Sequence, residues 1–362
     1  MNAIVHGFGC ETIDNKSRHW LSFLYNKNMT QDTQKLRGVN LGGWLVLEKW
    51  MTPSLFAGTD AVDEYTFMRT EGAAAKLTRH WDTFITEEDF AWLQAQGINA
   101  VRLPIGFWAI EPHGQLMEAT TYIDWTLEMG KKYNLQVLLC LHGAYGSQNG
   151  QDHSGKTGPL RWYRGGHRQA TQRCLQKLAA RYGQDEALWG IELLNEPLRL
   201  YWWRTLLLKR WTRRTMTVLS RQLPARCKLV YSDAFRPDAW TGKMNYVQAV
   251  MDVHHYQCFS DEDKKLPIAG HVKKVRAIQV RIQRWQHDQP VIIGEWSLGL
   301  DGASLHGDNR QQAERQFAKA QLEAFSAAAG WFFWNYKTEQ SGGWNFRYLV
   351  ENGFFTALTD QR

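Results

Sequence analysis

Two glutamates stand at the ends of apolar runs. Glu196 closes Leu193-Leu194-Asn195-Glu196-Pro197, and Glu295 closes Ile292-Ile293-Gly294-Glu295-Trp296. Strands buried on both faces read as unbroken Val/Ile/Leu runs, and a carboxylate ending such a run is costly without a partner or a task. Two such groups in one pocket are the raw material of acetal hydrolysis: a protonated carboxyl gives its proton to a leaving oxygen, while an ionised one attacks a carbon. That chemistry needs no metal or other cofactor. Taken singly, each Glu also has a plain reading as half of a salt bridge at the rim of a sheet.

Further polar groups fall at the ends of other apolar runs: Asn40, Arg102, His142, Asn195 beside Glu196, His254 with Tyr256, and Trp334. Arg102 is the natural cation to keep one Glu ionised. His142, His254 and Tyr256 offer hydrogen bonds that orient and tune both carboxyls. Asn195 suits a substrate hydroxyl whose hydrogen bond tightens in the transition state. A lone His or Arg at a strand end has a plain structural reading. The recurrence of such groups at one level of successive strands points to a shared cleft.

The elements that must position them alternate along the chain. Strands are expected at 36–41, 98–104, 136–141, 188–194, 228–232, 250–253, 290–294 and 331–333, with helices at 86–97, 122–133, 169–182, 203–223, 272–287 and 310–328 and a weak closing helix within 343–355. Residues 42 to about 83 read as a long connection. Alternation of this kind implies parallel pairing through right-handed crossovers. Eight units in about 320 residues give the expected fold class: α/β, a single (β/α)8 TIM barrel with long βα rim loops and its site at the C-terminal ends of the strands. An open doubly wound sheet would bring a Gly-rich nucleotide turn near its start, and none is present. Residues 1–35 are expected to be an N-terminal extension, disordered in part, and 36–362 one catalytic domain.

The composition, 44% hydrophobic and 22% charged over 362 residues, suits a soluble chain with a full core. The 18 Trp, 13 Tyr and 16 Phe exceed what a core requires and suit a site that lays flat rings against sugar faces. Net charge is 43 − 36 = +7, but the basic residues are scattered, as at Lys209-Arg210 and Arg213-Arg214. No nucleic-acid signature accompanies them, so no nucleic-acid partner is expected. Cys10, Cys140, Cys174, Cys227 and Cys258 lack CxxC spacing and read as reduced, mostly buried thiols. No apolar run is long enough for a membrane span. Residues 1–36 lack the apolar stretch of a secretory leader, which leads to the expectation of a cytoplasmic protein, or a secreted or periplasmic one if the start is misassigned.

These strand ends resemble glycoside hydrolase family 5. Asn195-Glu196-Pro197 is similar to the family's acid/base motif, and Glu295 in Gly-Glu-Trp to its nucleophile. Arg102, His142, His254, Tyr256 and Trp334 also fall on cleft-lining positions. The resemblance over residues 36–350 is closer to the exo-β-1,3-glucanase branch. It rests on Arg37-Gly38-Val39-Asn40-Leu41-Gly42-Gly43-Trp44, Met51-Thr52-Pro53-Ser54-Leu55-Phe56, Leu141-His142-Gly143-Ala144, Gly146-Ser147-Gln148-Asn149-Gly150 and Gly330-Trp331-Phe332-Phe333-Trp334. It implies that Glu48, Asp152 and His153 border the terminal sugar subsite and Phe259 its entrance. It further implies a retaining hydrolase of β-glucan or gluco-oligosaccharides, with endo action, β-1,6 or β-1,4 linkages and transglycosylation as alternatives on the same site. A non-catalytic sugar-binding barrel is the alternative from another class. The chain departs from the family at Gln151-Asp152-His153, where relatives carry Phe-Asp-Asn.

Gly150 to Thr157 formally matches the phosphate loop G-x-x-x-x-G-K-[ST], but no strand directly precedes it, and Gly158-Pro159 opposes a following helix. The rim loop from Gly143 to Gly166 is instead expected to bring Asp152, Trp162 and Tyr163 over the cleft. No G-x-S-x-G elbow exists for a serine hydrolase. His254 and His255 are neighbours on a strand and point to opposite faces, so no metal site is expected from them.

Overall fold

The computed structural model describes residues 34–199, 201–244, 246–305 and 310–355. The expected N-terminal extension therefore lies outside the described residues apart from Gln34 and Lys35. Eight strands form: β1 (Leu36–Asn40), β2 (Ala100–Gly106), β3 (Gln136–Gly143), β4 (Leu188–Glu192), β5 (Lys228–Ser232), β6 (Ala249–His255), β7 (Val291–Trp296) and β8 (Gly330–Phe333). They pair in chain order and close into a barrel. The closing pair, β1 with β8, is parallel and runs from Leu36 opposite Gly330 to Val39 opposite Phe333. The (β/α)8 barrel is thus the observed fold.

Alternation along the strands sorts side chains into layers. The lower barrel interior is an apolar plug of Leu36, Ala100, Leu138, Val230, Val250, Ile292 and Phe332. Phe332 fits because Gly38 faces it: a Cβ there would lie 2.3 Å from the ring. Two residues further along their strands stand Arg102 and Asp252, fully buried with Asn40 and Glu192. The interior switches from hydrocarbon to charge within one step of the pleat.

The helices pack outside: α1 (Glu64–Phe67), α2 (Ala73–Phe84), α3 (Glu87–Ala95), α4 (Thr120–Lys132), α5 (His167–Tyr182), α6 (Trp202–Leu219), α7 (Asp261–Lys264), α8 (Ile268–Asp288), α9 (Arg310–Phe325) and α10 (Phe346–Glu351). The main departure from the sequence expectation is α2, which occupies much of the supposed long connection. Its Ala73, Leu77 and Trp81 are buried, one face of a helix. Trp44 Nε1 donates to the Trp81 carbonyl at 2.9 Å, and Trp81 Nε1 returns the bond to the Trp44 carbonyl at 3.0 Å. α3 opens with a capping box of Thr86 and Asp89. β4 ends at Glu192 rather than Leu194, although the amides of Leu193 and Asn195 still donate to Val230 and Leu141 carbonyls. α8 begins four residues before the expected Val272, with Pro267 at its N-cap position.

Candidate active site

The upper barrel is assembled on one guanidinium. Arg102, carried by β2 and fully buried, has five N–H donors in a fixed fork. Nε and Nη2 donate to the two Glu192 carboxylate oxygens at 2.7 and 3.0 Å. The second Nη2 proton goes to Asn195 Oδ1 at 2.8 Å. Nη1 serves Asn40 Oδ1 at 2.8 Å and Glu295 Oε1 at 2.9 Å. Every donor is used, and the ends of three strands, β1, β4 and β7, are tied to one planar group. Such a bidentate pair survives in a dry interior because its remaining valences are filled.

Glu295 comes from β7, directly after Gly294. That glycine is required by space: a Cβ would lie 2.1 Å from an Asp252 oxygen, and its amide instead donates to Asp252 Oδ1 at 2.7 Å. The second Glu295 oxygen accepts from the Tyr256 hydroxyl at 2.9 Å. Glu196 sits at φ 42°, a left-handed conformation costly for a residue with a side chain. From that turn its Oε1 meets His254 Nδ1 at 2.7 Å, while the same nitrogen lies 3.4 Å from Glu295 Oε2. Glu196, His254 and Glu295 each place an atom within 4.8 Å of the others. Two carboxylates remote in sequence therefore meet at one imidazole, that of His254. Both carboxylates reach the same imidazole nitrogen, at 2.7 and 3.4 Å, the kind of closeness that paired-carboxylate chemistry uses.

Proton placement follows from burial and charge. Burial alone would strip His254 of its proton, yet Glu295, Asp252 and Glu196 raise it well above the usual imidazole range. Burial would likewise raise Glu196, but its bond to His254 holds the carboxyl down at about 2. For Glu295, burial outweighs His254 and Arg102 and pushes the carboxyl up to about 7. This is the reverse of the division that the two roles demand at the moment of reaction. The three groups share their protons as one set, and the proton Glu196 needs lies one hydrogen bond away on His254.

Around this pair the structure gathers most of the remaining candidates. His142 stacks on Trp334 with ring centroids 5.4 Å apart and planes 8° from parallel. Burial, then His153 and Arg102, holds it neutral. Asn195, its oxygen fixed on Arg102, turns Nδ2 toward His142 Nε2 at 3.3 Å and His153 Nδ1 at 3.5 Å. His153 Nε2 lies 3.6 Å from Glu196 Oε2. Glu48 is buried and accepts from Trp50 Nε1 at 2.8 Å. Burial and the neighbouring Asp152 raise its carboxyl well above the usual range. Phe259 is 70% exposed and sits edge-on to Tyr256 at 5.5 Å, at the pocket's outer lip. One expectation needs correction, and three residues were missed. Trp162 and Tyr163 do not reach over the cleft: both are buried, with Trp162 against Trp211 at 4.9 Å and its Nε1 on Thr171 Oγ1, because two aromatics in sequence are worth more in the wall than in water. Glu192 and Asp252 were missed, although Asp252 stands two residues before His254 and so on the same face of β6. Trp344 was also missed; it lies 5.4 Å from Tyr256, 5.6 Å from Trp50 and 6.2 Å from Phe259, and nothing in its Gly-Gly-Trp-Asn context marks it.

His254 and His255 diverge as expected, with His255 packed on Phe325 at 5.8 Å. The phosphate-loop lookalike is a short turn, its Thr157 amide spent on Asp63 Oδ2. Glu192, Asp252 and His254 also bring ligand atoms within 4.8 Å of one another. In this group and in that of Glu196, His254 and Glu295, Arg102 or the His254 imidazolium already supplies the balancing positive charge, so a cation there would have to displace them.

The family model for cellulase, glycosyl hydrolase family 5, matches residues 68–340. A probable glucan 1,3-beta-glucosidase A of Emericella nidulans is 38% identical over 378 residues, spanning 91% of this chain and 92% of the relative. A glucan 1,3-beta-glucosidase of Blumeria graminis is 36% identical over 388 residues, spanning 91% and 89%. Among solved structures, a rutinosidase from Aspergillus niger matches with a TM-score of 0.74 at 20% identity over 89% of this chain and 98% of that one. XacCel5A in complex with cellopentaose matches at 0.55 and 17% identity over 85% and 91%. At those identities the solved structures speak for the fold alone. Barrel, carboxylate pair and relatives agree: the chain belongs to glycosyl hydrolase family 5 and is a glycoside hydrolase.

Proposed function

We propose that this enzyme removes glucose from the non-reducing end of β-1,3-linked glucan by double displacement. The observation that carries the reading is the Glu196–His254–Glu295 cluster, with atoms of all three groups within 4.8 Å of one another. The names of the relatives, glucan 1,3-beta-glucosidases, supply the linkage. In the first step the Glu295 carboxylate forms a bond to the anomeric carbon as the glycosidic C–O bond breaks, and the leaving oxygen takes the proton of Glu196. That proton reaches Glu196 across its 2.7 Å contact with His254. In the second step water attacks the anomeric carbon, Glu196 takes its proton, and the ester to Glu295 breaks. Arg102 and Tyr256 hold the nucleophile in one orientation. Asn195 Nδ2 and the Glu48 carboxyl are hydrogen-bond partners for sugar hydroxyls.

Glu295→Gln tests the roles. It should cut kcat by at least about 10⁴-fold, as loss of a nucleophile does, with an unchanged circular-dichroism spectrum; wild-type turnover in the variant would refute them. Resolving products by size on glucans of different linkage tests the substrate: glucose alone should appear first from a β-1,3 chain, and early oligosaccharides would instead indicate internal cleavage.

A further inference from the structure

The first turn of α6 exposes Tyr201 by 56%, Trp202 by 77% and Trp203 by 40%. Contiguous large apolar groups in water mark a contact surface. The Tyr201 and Trp203 rings lie parallel to within 4°, with centroids 6.0 Å apart. Beneath them the Arg204 guanidinium sits 5.2 Å from each ring and 5.1 Å from the ring of Tyr163. Arg204 and Tyr163 are only 7% and 5% exposed. Even so, Arg204 Nε and Nη1 and the Tyr163 hydroxyl find no hydrogen-bond partner among the described residues. Buried donors without partners are rare, and each calls for an explanation.

We propose that Tyr201, Trp202 and Trp203, with Arg204 and Tyr163 beneath, form a second glycan-contacting surface that holds the leaving-group chain of a β-linked glucan outside the pocket. Flat rings match the apolar faces of pyranose units, and the unpaired donors match their hydroxyls. The placement fits as well. Tyr201 follows the acid/base candidate Glu196 by five residues, so their Cα atoms are within about 18 Å even for a fully extended chain. That is the reach of a few sugar units. The start of this connection is anchored to the rim, with the Leu198 amide on the Gln148 carbonyl at 3.0 Å. Arg210, Arg213 and Arg214 lie exposed further along α6, so an aromatic and basic helix edge of this kind could also lie on an anionic membrane. Donors buried under the rings favour a hydroxylated ligand over lipid.

This inference rests on the proposed glucan hydrolysis, and its test separates the two. In a Glu295→Gln background, calorimetric titration with a β-1,3-gluco-hexasaccharide should show binding at least about five-fold weaker after the double change Trp202→Ala and Trp203→Ala, the loss of aromatic anchors. With Glu295 intact, the same double variant should turn over 4-nitrophenyl β-glucoside at the wild-type rate, since that leaving group never reaches α6. Equal hexasaccharide affinity with and without the two tryptophans overturns the inference. So does a loss seen only in binding to phosphatidylserine vesicles. If no protein in the series cleaves the aryl glucoside while the affinity difference holds, the glycan surface stands and the hydrolytic reading falls.

Discussion

The decisive residue is not itself a carboxylate. Arg102 is a cation surrounded by Glu192, Glu295 and, at 3.8 Å, Asp252, so its removal leaves buried negative charge uncompensated. Arg102→Met should destabilise the protein by about 3–5 kcal/mol, read as a fall in urea midpoint. Arg102→Lys keeps the charge but cannot span Glu192 bidentately. Tyr256 works on a smaller scale. Its hydroxyl favours the ionised form of Glu295, whose carboxyl burial pushes up to about 7. A nucleophile must be ionised, so kcat/KM should fall as pH drops through that value. Tyr256→Phe removes a stabilising donor, moves this acid limb to higher pH and lowers kcat by on the order of 100-fold; an unmoved limb in the pH–rate profile would show that Tyr256 does not tune Glu295. At this scale the sequence was most legible. Glu196, Glu295, Arg102, His142, Asn195, His254, Tyr256 and Trp334 could all be named because each falls near the end of an apolar run, although β2 continues past Arg102 to Gly106 and β4 stops at Glu192. Glu192 escaped because its partner is contributed by another strand, and a buried ion pair has no signature within either one.

Among the elements, the start of α3 is tied to the loop after β8. Asp89 completes the capping box and also accepts from Lys337 Nζ at 2.6 Å, the Tyr336 hydroxyl at 2.8 Å and Arg347 Nη1 at 3.0 Å. This clamp holds the segment that carries Trp334 and Trp344. Burial would raise the Asp89 carboxyl, but Lys337 pulls it below the ordinary aspartate value. A depressed carboxyl contributes stability above its unfolded pKa and loses that contribution as pH falls through its folded one. Asp89→Asn should therefore cost about 1–3 kcal/mol at pH 7. The gap in melting temperature between wild type and variant should narrow as pH falls below about 4, the unfolded value for Asp; a constant gap would place the cost in the cap rather than in the charge. The helix opening at Thr86 was readable, whereas α2 was not. It starts at Gly72, with φ 68° and no side-chain cap, so no start signal announces Ala73, Leu77 and Trp81.

For the molecule as a whole, the order of the strands is its function. Eight parallel strands deliver their C-terminal ends to one rim, and the interior changes there from the apolar plug to the Arg102 network. The alternation of short, mostly apolar strands with helices made this architecture readable from one chain, although Arg37, Arg102 and Asp252 interrupt β1, β2 and β6. The rim was less legible. Tyr163 and Trp162 turned into the wall, Trp344 went unread, and Tyr201 and Trp202 lay just before the helix expected from Trp203. Rim loops carry no periodicity, so their side chains are placed by contacts made across the barrel. Double displacement requires a covalent glycosyl–Glu295 intermediate. Incubation with a 2-deoxy-2-fluoro-β-glucoside bearing a good leaving group, followed by peptide mass spectrometry, tests it directly. The label should appear on the peptide containing Glu295, at that residue; a label on another residue, or turnover of the reagent with no labelled peptide, would contradict the account.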